Sequence, residues 1–171
     1  MSEINPHLFA PVRRFQLVDV PDVAALQAVS MTSAWSEDEW IQLVTRPSSG
    51  SIADTVLMFV SRIETSEYSV GRLAGFLFAR RVVDEAEIIE IAAEPSCRRL
   101  GIGQRLLNHL IRELRHGGPC RVFLEVSVEN TPARALYAKN DFAEVGIRKG
   151  YYTVPGKKSV DAKMLVRDLA D

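Results

Sequence analysis

The sequence predicts an α/β domain, and three observations predict it. A β-like run, Glu87-Ile88-Ile89-Glu90-Ile91-Ala92-Ala93, leads through a glycine-bearing turn into a helix-like run from Gln104 to Arg115, and a second β-like run, Arg121 to Val126, follows. A strand, a helix and a strand in series join parallel strands by a crossover. Upstream, Thr55 to Ile63 and Leu73 to Val83 are rich in β-branched and aromatic residues around a polar connection, the pattern of an antiparallel hairpin. The third observation is length: 171 residues make one domain, residues 1–171, able to bury about two-thirds of the unfolded surface.

In order along the chain, residues 1–11 are polar and proline-bearing and read as a loose leader. Val12 to Val18 is expected as an opening strand. Asp19-Val20-Pro21-Asp22 then marks a helix start, an acid ahead of the first turn and proline inside it, with Val23, Leu26 and Val29 expected on one face. Ser36 and Glu39 form a capping box before a second helix with Trp40, Ile41 and Val44 as its apolar stripe. Pro47 to Asp54 is a breaking loop, and Glu64 to Arg72 the polar turn of the hairpin. Asp84-Glu85 connects tightly into the next strand, which Pro95 stops. In the helix after the turn, Leu106, Leu107, Leu110, Ile111 and Leu114 share one face, and Gly117-Gly118-Pro119 ends it. Asn130 or Thr131 caps a short helix holding Pro132, Ala135, Leu136 and Tyr137. Ala143 to Ile147 and Val160 to Arg167 close the sheet, with Val160, Ala162, Met164 and Val166 alternating onto one face. No internal repeat or second domain is visible.

Composition narrows the function. At 47% hydrophobic and 25% charged the chain is globular in type, and a net charge of −1 argues against nucleic-acid binding through a broad basic face. No apolar run approaches the roughly 20 residues needed to span a bilayer, and the start lacks the layout of a signal peptide. A cytoplasmic protein without membrane association is expected. Cys97 and Cys120 make neither a disulfide framework nor a metal signature, and His7, His109 and His116 are scattered at polar positions. No metal is expected.

The chain turns on Arg98-Arg99-Leu100-Gly101-Ile102-Gly103. The first turn of a helix offers backbone N–H groups with no internal partner and the positive end of the macrodipole, so an anion belongs there. Glycine allows close approach and arginine adds forked donors. An ordinary strand-to-helix connection with solvated arginines has the same spacing. The pattern R-x-x-G-x-G, with Arg98, Gly101 and Gly103 at its fixed positions, resembles motif A of the GCN5-related N-acetyltransferases (GNAT), which holds the pyrophosphate of acetyl-coenzyme A. It lacks the third glycine and the ribose-binding acid of a dinucleotide fingerprint.

Moving an acetyl group from a thioester to an amine requires a base for the amine, stabilisation of the oxyanion and a proton for the departing thiolate. Glu125, between Leu124 and Val126, is the candidate base if it faces a cleft, where partial burial makes it a stronger base; alternatively it is a strand carboxylate in solvent or paired with an arginine. Tyr137, a phenol protonated at neutral pH, is the candidate acid, or a core aromatic beside Leu136. Asn130 is a helix cap, a cofactor contact or both.

From Asp84 to Met164 the sequence resembles the bacterial ribosomal-protein-alanine N-acetyltransferases of the GNAT family. The resemblance rests on Asp84-Glu85-Ala86, Ile91-Ala92-Ala93-Glu94-Pro95, Arg99 with Gly101 and Gly103, Leu124-Glu125-Val126, Asn130, Ala135-Leu136-Tyr137, Arg148-Lys149-Gly150-Tyr151-Tyr152, Asp161-Ala162 and Met164, with Trp35-Ser36-Glu37 upstream. It implies a mixed, mostly antiparallel sheet whose two central parallel strands splay to admit acetyl-coenzyme A, with flanking helices. By the resemblance, Glu125 is the base and Tyr137 the acid. Ile91, Ala92 and Ala93 offer backbone groups to the acetyl and pantetheine arm. Arg98, Arg99, Leu100, Gly101, Ile102, Gly103 and Gln104 take the pyrophosphate, and Asn130 is a further cofactor contact. Trp35, Tyr151 and Tyr152 flank the path of the acceptor peptide.

The sequence departs from the family at three places. Asp141 stands where a glycine is usual, and aspartate tolerates left-handed geometry better than most residues. Glu90 stands where a neutral residue is usual, near the acetyl end of the cofactor, where it would act on a cationic amine. Residues 46–72 match poorly. The implied activity is acetylation of the α-amino group of a protein N-terminus, that of a ribosomal protein with alanine first. Acetylation of lysine side chains or of a small amine fits the same fold, and an inactive acetyl-coenzyme A sensor or partner subunit is a reading of another class.

Overall fold

The computed structural model describes residues 9–31, 34–45, 55–64, 71–118, 120–153, 156 and 158–169. The start of the expected leader with His7, the Pro47 to Asp54 loop, most of the hairpin's polar turn and Pro119 lie outside the described residues. Seven strands form one sheet: β1 (Arg13–Arg14), β2 (Thr55–Arg62), β3 (Leu73–Val82), β4 (Glu85–Ala93), β5 (Cys120–Ser127), β6 (Ala143–Tyr152) and β7 (Val160–Leu169). Their order is β1-β2-β3-β4-β5-β7-β6, and every neighbouring pair is antiparallel except β4 and β5. The helices are α1 (Val20–Ser30), α2 (Glu37–Thr45), α3 (Ile102–His116) and α4 (Thr131–Lys139).

The sheet has a core on each face. On one, α3 buries Leu106, Leu107, Leu110, Ile111 and Leu114 against Leu57, Phe59, Leu77, Ala79, Ile88, Val122 and Leu124, and Tyr137 of α4 joins them. On the other, α1 and α2 cover Met58, Val60, Leu73, Phe76 and Phe78 through Val23, Leu26 and Trp40. Central β3, covered on both faces, is therefore apolar without alternation over its first seven residues. Gly75 fits where little else would: a Cβ there would lie 2.5 Å from the Ala92 carbonyl oxygen and 2.7 Å from Ile102 Cγ2. Its absence lets the first turn of α3 settle against the end of β4.

Three expectations need correction, and a fourth, the single face of the β7 series, gains its side. The opening strand is reduced to Arg13–Arg14, because the chain tightens into a 3₁₀ turn at Leu17–Asp19 before α1. The buried stripe of α1 is Val20, Val23, Ala24, Leu26 and Gln27, and Val29, outside that arc, is exposed. In α2, Trp40 is buried with Leu43 and Val44 against it, while Ile41 is exposed. In β7 it is Leu165 and Leu169 that enter the α3 core; the Val160, Ala162, Met164 and Val166 series lies on the opposite face, with Met164 across from Glu125 of β5. The Ser36 and Glu39 capping box forms in both directions, Glu39 Oε2 accepting from the Ser36 N–H at 2.7 Å and the Ser36 hydroxyl from the Glu39 N–H at 3.3 Å.

Candidate active site

The site begins with one extra residue in β4. Phe78 of β3 pairs with Glu90 and Ala79 with Ile88, so Ile89 is a bulge without a β3 partner. A bulge bends its strand and flips the side-chain phase beyond it. Ala86 and Ile88 point into the α3 core, whereas Glu90 turns to the α1–α2 face, opposite Phe78. At the same place β4 and β5 part: their parallel pairing runs from Glu85↔Arg121 to Ile88↔Leu124 and stops, although β4 continues to Ala93 and β5 to Ser127. The parting strands leave an opening through the sheet, walled by half-buried Ile91, Ala92 and Ala93 on one side and residues 125–127 on the other.

At the α3 end of this opening lies the arginine and glycine turn. Arg99 and Gly101 both take left-handed backbone, φ 64° and 82°. The first helical bond is from the Arg105 N–H to the Gly101 carbonyl at 3.0 Å, which leaves the N–H groups of Ile102, Gly103 and Gln104 without helical partners. Arg98 and Arg99 are exposed beside them, and the N–H of Leu100 bonds back to Cys97. A diphosphate fits this donor set. The Gln104 side chain is committed elsewhere, in a reciprocal amide pair with Asn140 at 2.7 and 3.0 Å, so only its backbone faces an anion. Asn130 caps α4, its Oδ1 accepting from the Ala133 N–H at 3.2 Å. Cys97 is buried beneath the turn and burial pushes its thiol up, as it does for Cys120; neither has the depressed pKa of a nucleophile. Among the described residues no cluster of three or more His, Cys, Asp or Glu could hold a metal ion.

Two groups stand on opposite faces of the opening. Glu125 alternates with buried Leu124 and Val126, which face α3, so its side chain is on the α1–α2 face, 19% exposed. Its carboxylate is 3.0 Å from Arg148 Nη1 and lies beside the Tyr151 phenol, which its charge and accepting oxygens hold above the usual range. Arg148 lies 4.4 Å from the Tyr151 ring centre, and the Tyr152 hydroxyl donates to the Glu125 carbonyl at 3.4 Å. Glu125 therefore lies on the α1–α2 face beside the place where β4 and β5 part, paired with an arginine. Tyr137 is on the other face, 4% exposed and packed edge-on against Phe142 with ring centres 5.6 Å apart. Burial, with a further contribution from Tyr152, pushes its phenol far up, so it stays protonated at any physiological pH.

Glu90 and Trp35 come together through a residue the sequence did not flag. Gln27 donates from Nε2 to Glu90 Oε2 at 2.7 Å, and its Oε1 accepts from the Trp35 N–H at 2.8 Å and from Trp40 Nε1 at 3.2 Å. Trp35 packs against Trp40 and Phe78, with ring centres 4.9 and 5.6 Å away. Glu90 is 6% exposed, its Oε1 has no partner among the described residues, and burial, opposed by the Gln27 bond, pushes its carboxyl up. A polar residue on the apolar face of α1, four after Val23, was the available signal.

Residues 21–142 match the family model described as Acetyltransferase (GNAT) family. A Bacillus subtilis (strain 168) protein named provisionally as a ribosomal protein bS18-alanine N-acetyltransferase is 32% identical over 152 residues, 88% of this chain and 92% of that protein. The ribosomal protein bS18-alanine N-acetyltransferase of Escherichia coli (strain K12) is 42% identical over 89 residues, 52% of this chain and 60% of that protein. The crystal structure of the ribosomal-protein-S18-alanine N-acetyltransferase from Escherichia coli superposes with a TM-score of 0.77 at 27% identity, covering 95% of each chain.

Proposed function

The chain belongs to the GNAT family of acetyl-coenzyme A-dependent N-acetyltransferases, and on that premise we propose that it acetylates the free α-amino group of a protein N-terminus, that of a ribosomal protein beginning with alanine. The observation that supports the reading is the placement of a carboxylate on one face of the sheet, where β4 and β5 part, and a buried phenol on the other. The names of the relatives support the choice of acceptor.

In this scheme the N–H groups at residues 102–104, with Arg98 and Arg99, hold the diphosphate. Acetyl-coenzyme A supplies the thioester. Backbone N–H groups of residues 91–93 that β5 leaves unpaired polarise the carbonyl. Glu125 takes the amine's proton through water, its orientation fixed by Arg148 and Tyr151. Tyr137 gives its proton toward the departing sulfur; a phenol is a weaker acid than a thiol, so the transfer runs with C–S cleavage rather than ahead of it.

The test is thiol release from acetyl-coenzyme A with three acceptors: a peptide with free N-terminal alanine, the same peptide blocked at its N-terminus but carrying lysine, and a polyamine. Release with the first alone is expected. Release with only the others overturns the acceptor. Glu125→Gln is expected to lower kcat by about 10²–10⁴-fold with cofactor affinity unchanged, and unaltered turnover would remove Glu125 from the chemistry.

A further inference from the structure

Resting on the transfer reading above, we propose that Glu90 is the docking carboxylate for the acceptor's primary ammonium group, held open for it by Gln27. The argument starts from an imbalance. Glu90 is 6% exposed, yet among the described residues its carboxylate receives only the Gln27 amide, on Oε2 at 2.7 Å, and Oε1 has no partner. A buried charge with half its acceptor capacity empty is costly, and native proteins keep few such groups without a use for them.

The vacancy is fixed in place. An amide can flip, but Gln27 Oε1 already accepts from the Trp35 N–H and from Trp40 Nε1, so its NH₂ must face Glu90. That amide occupies Oε2 and leaves Oε1 as the free acceptor. The Ile89 bulge delivers Glu90 to the face carrying Glu125, at the point where β4 and β5 part and one residue before the segment 91–93. The two carboxylates differ in what they have left to offer. Glu125 is engaged by Arg148 and Tyr151; Glu90 has an empty oxygen and no cationic partner among the described residues. The complement to one buried anionic acceptor is a compact cation with several N–H donors, which describes a primary ammonium. Burial pushes the Glu90 carboxyl up, and an arriving ammonium supplies the charge that draws it back to the ionised form. Glu90 binds the amine and Glu125 deprotonates it, so the two roles separate in kinetics.

The deciding variant is Glu90→Gln, whose own carbonyl still accepts from Gln27 and so preserves the packing, assayed in the full chain. At saturating acetyl-coenzyme A, KM for the free-amine peptide is expected to rise by about tenfold or more, a charged hydrogen bond's worth, with kcat within twofold and cofactor affinity unchanged. Glu90→Asp is expected to recover part of the loss. An unchanged KM in Glu90→Gln, or a fall in kcat alone, overturns the proposal. Calorimetry on the protein loaded with coenzyme A separates this from the transfer reading: wild type is expected to bind the free-amine peptide more tightly than its N-acetylated twin, and Glu90→Gln to lose that preference. If no acceptor turns over, the transfer reading fails while the calorimetric preference still decides Glu90. Comparing the α-amine peptide with the N-blocked lysine peptide in the same cell identifies which source of ammonium it takes.

Discussion

Two buried carboxylates on the same side of the sheet are treated in opposite ways. Asp19, fully buried, receives five donors: Arg13 Nη1 and the Gln16 N–H on Oδ2, and Arg13 Nη2, Arg62 Nε and Arg62 Nη2 on Oδ1, all between 2.7 and 3.0 Å. Arg62, itself 5% exposed, spends its remaining nitrogen on Asp22 and the Gly71 carbonyl. Glu90 receives one donor among the described residues. Desolvation pushes both acids up; at Asp19 it is outweighed by Arg13, Gln16 and Arg62, and the net shift is down, whereas at Glu90 one amide leaves it up. A saturated buried anion is a clasp, here tying β1, β2 and the start of α1. An unsaturated one is a site.

The comparison breaks most visibly at Asp19. Asp19→Ala leaves Arg62 Nε and Nη2, both buried, without partners, and losing one member of such a pair costs about 3–5 kcal/mol, a fall in Tm of roughly 10 °C or more for a chain of this size. Thermal unfolding measures it; a loss below 1 kcal/mol would show that the clasp is ornamental. The depressed pKa adds a sign. Asp19 contributes stability above its unfolded pKa that disappears as pH falls through the folded value, so the difference between wild type and Asp19→Ala should shrink in acid.

Next in size is Gln27→Leu, which leaves the Trp35 N–H, Trp40 Nε1 and Glu90 Oε2 without partners at once. The expected loss is about 2–3 kcal/mol by denaturant titration, together with weaker acceptor binding. A stable Gln27→Leu protein with normal KM would dissolve the link between the tryptophans and Glu90.

Smaller again is the pH signature of Glu90. Its folded pKa is raised, so the folded state holds the proton more tightly, and stability is lost as pH rises from the unfolded pKa through the folded one. Glu90→Gln lacks that loss. Its Tm minus that of wild type should grow as pH rises from the unfolded carboxyl value of about 4.3 through the raised folded one, by roughly 2–4 °C for each kcal/mol, whatever the constant offset of the substitution. A flat difference would mean that Glu90 is not held in a desolvated site.

What the sequence could and could not disclose follows the same divide. The α3 stripe of Leu106, Leu107, Leu110, Ile111 and Leu114 was legible because helical periodicity alone determines it, and the strand–turn–helix around Gly101 because every part is contiguous. Glu125 and Tyr137 were nameable through motif resemblance, but not their placement on opposite faces. The Ile89 bulge was hidden inside a continuous β-like run, since register depends on the β3 partner. For the same reason alternation in β7 showed two faces without showing which one α3 covers. Asp19 read as an acid ahead of a helix, and it does precede α1; yet its side chain leaves α1 uncapped, closing the preceding 3₁₀ turn on the Gln16 N–H and meeting Arg62, 43 residues away, a pairing no local pattern encodes.

A third carboxylate controls for both buried ones, since neither burial nor pairing governs it. Asp141 has its side chain 84% exposed, and its nearest cation is Arg167 Nη2 at 3.7 Å, an ion pair worth little in solvent. What defines the position is its backbone, φ 58°, on the turn between Tyr137 and Phe142. Glycine takes that geometry freely and aspartate nearly so, whereas a β-branched residue does not. Asp141→Gly is therefore expected to move stability by only about 0.5 kcal/mol, and Asp141→Val to cost about 1–2 kcal/mol through strain, with cofactor affinity unchanged in both, as read by thermal unfolding and calorimetry. Equal effects from the two substitutions would mean that the charge and not the turn matters at Asp141. The contrast between Asp19 and Glu90 would then have to be redrawn for a carboxylate that works in open solvent.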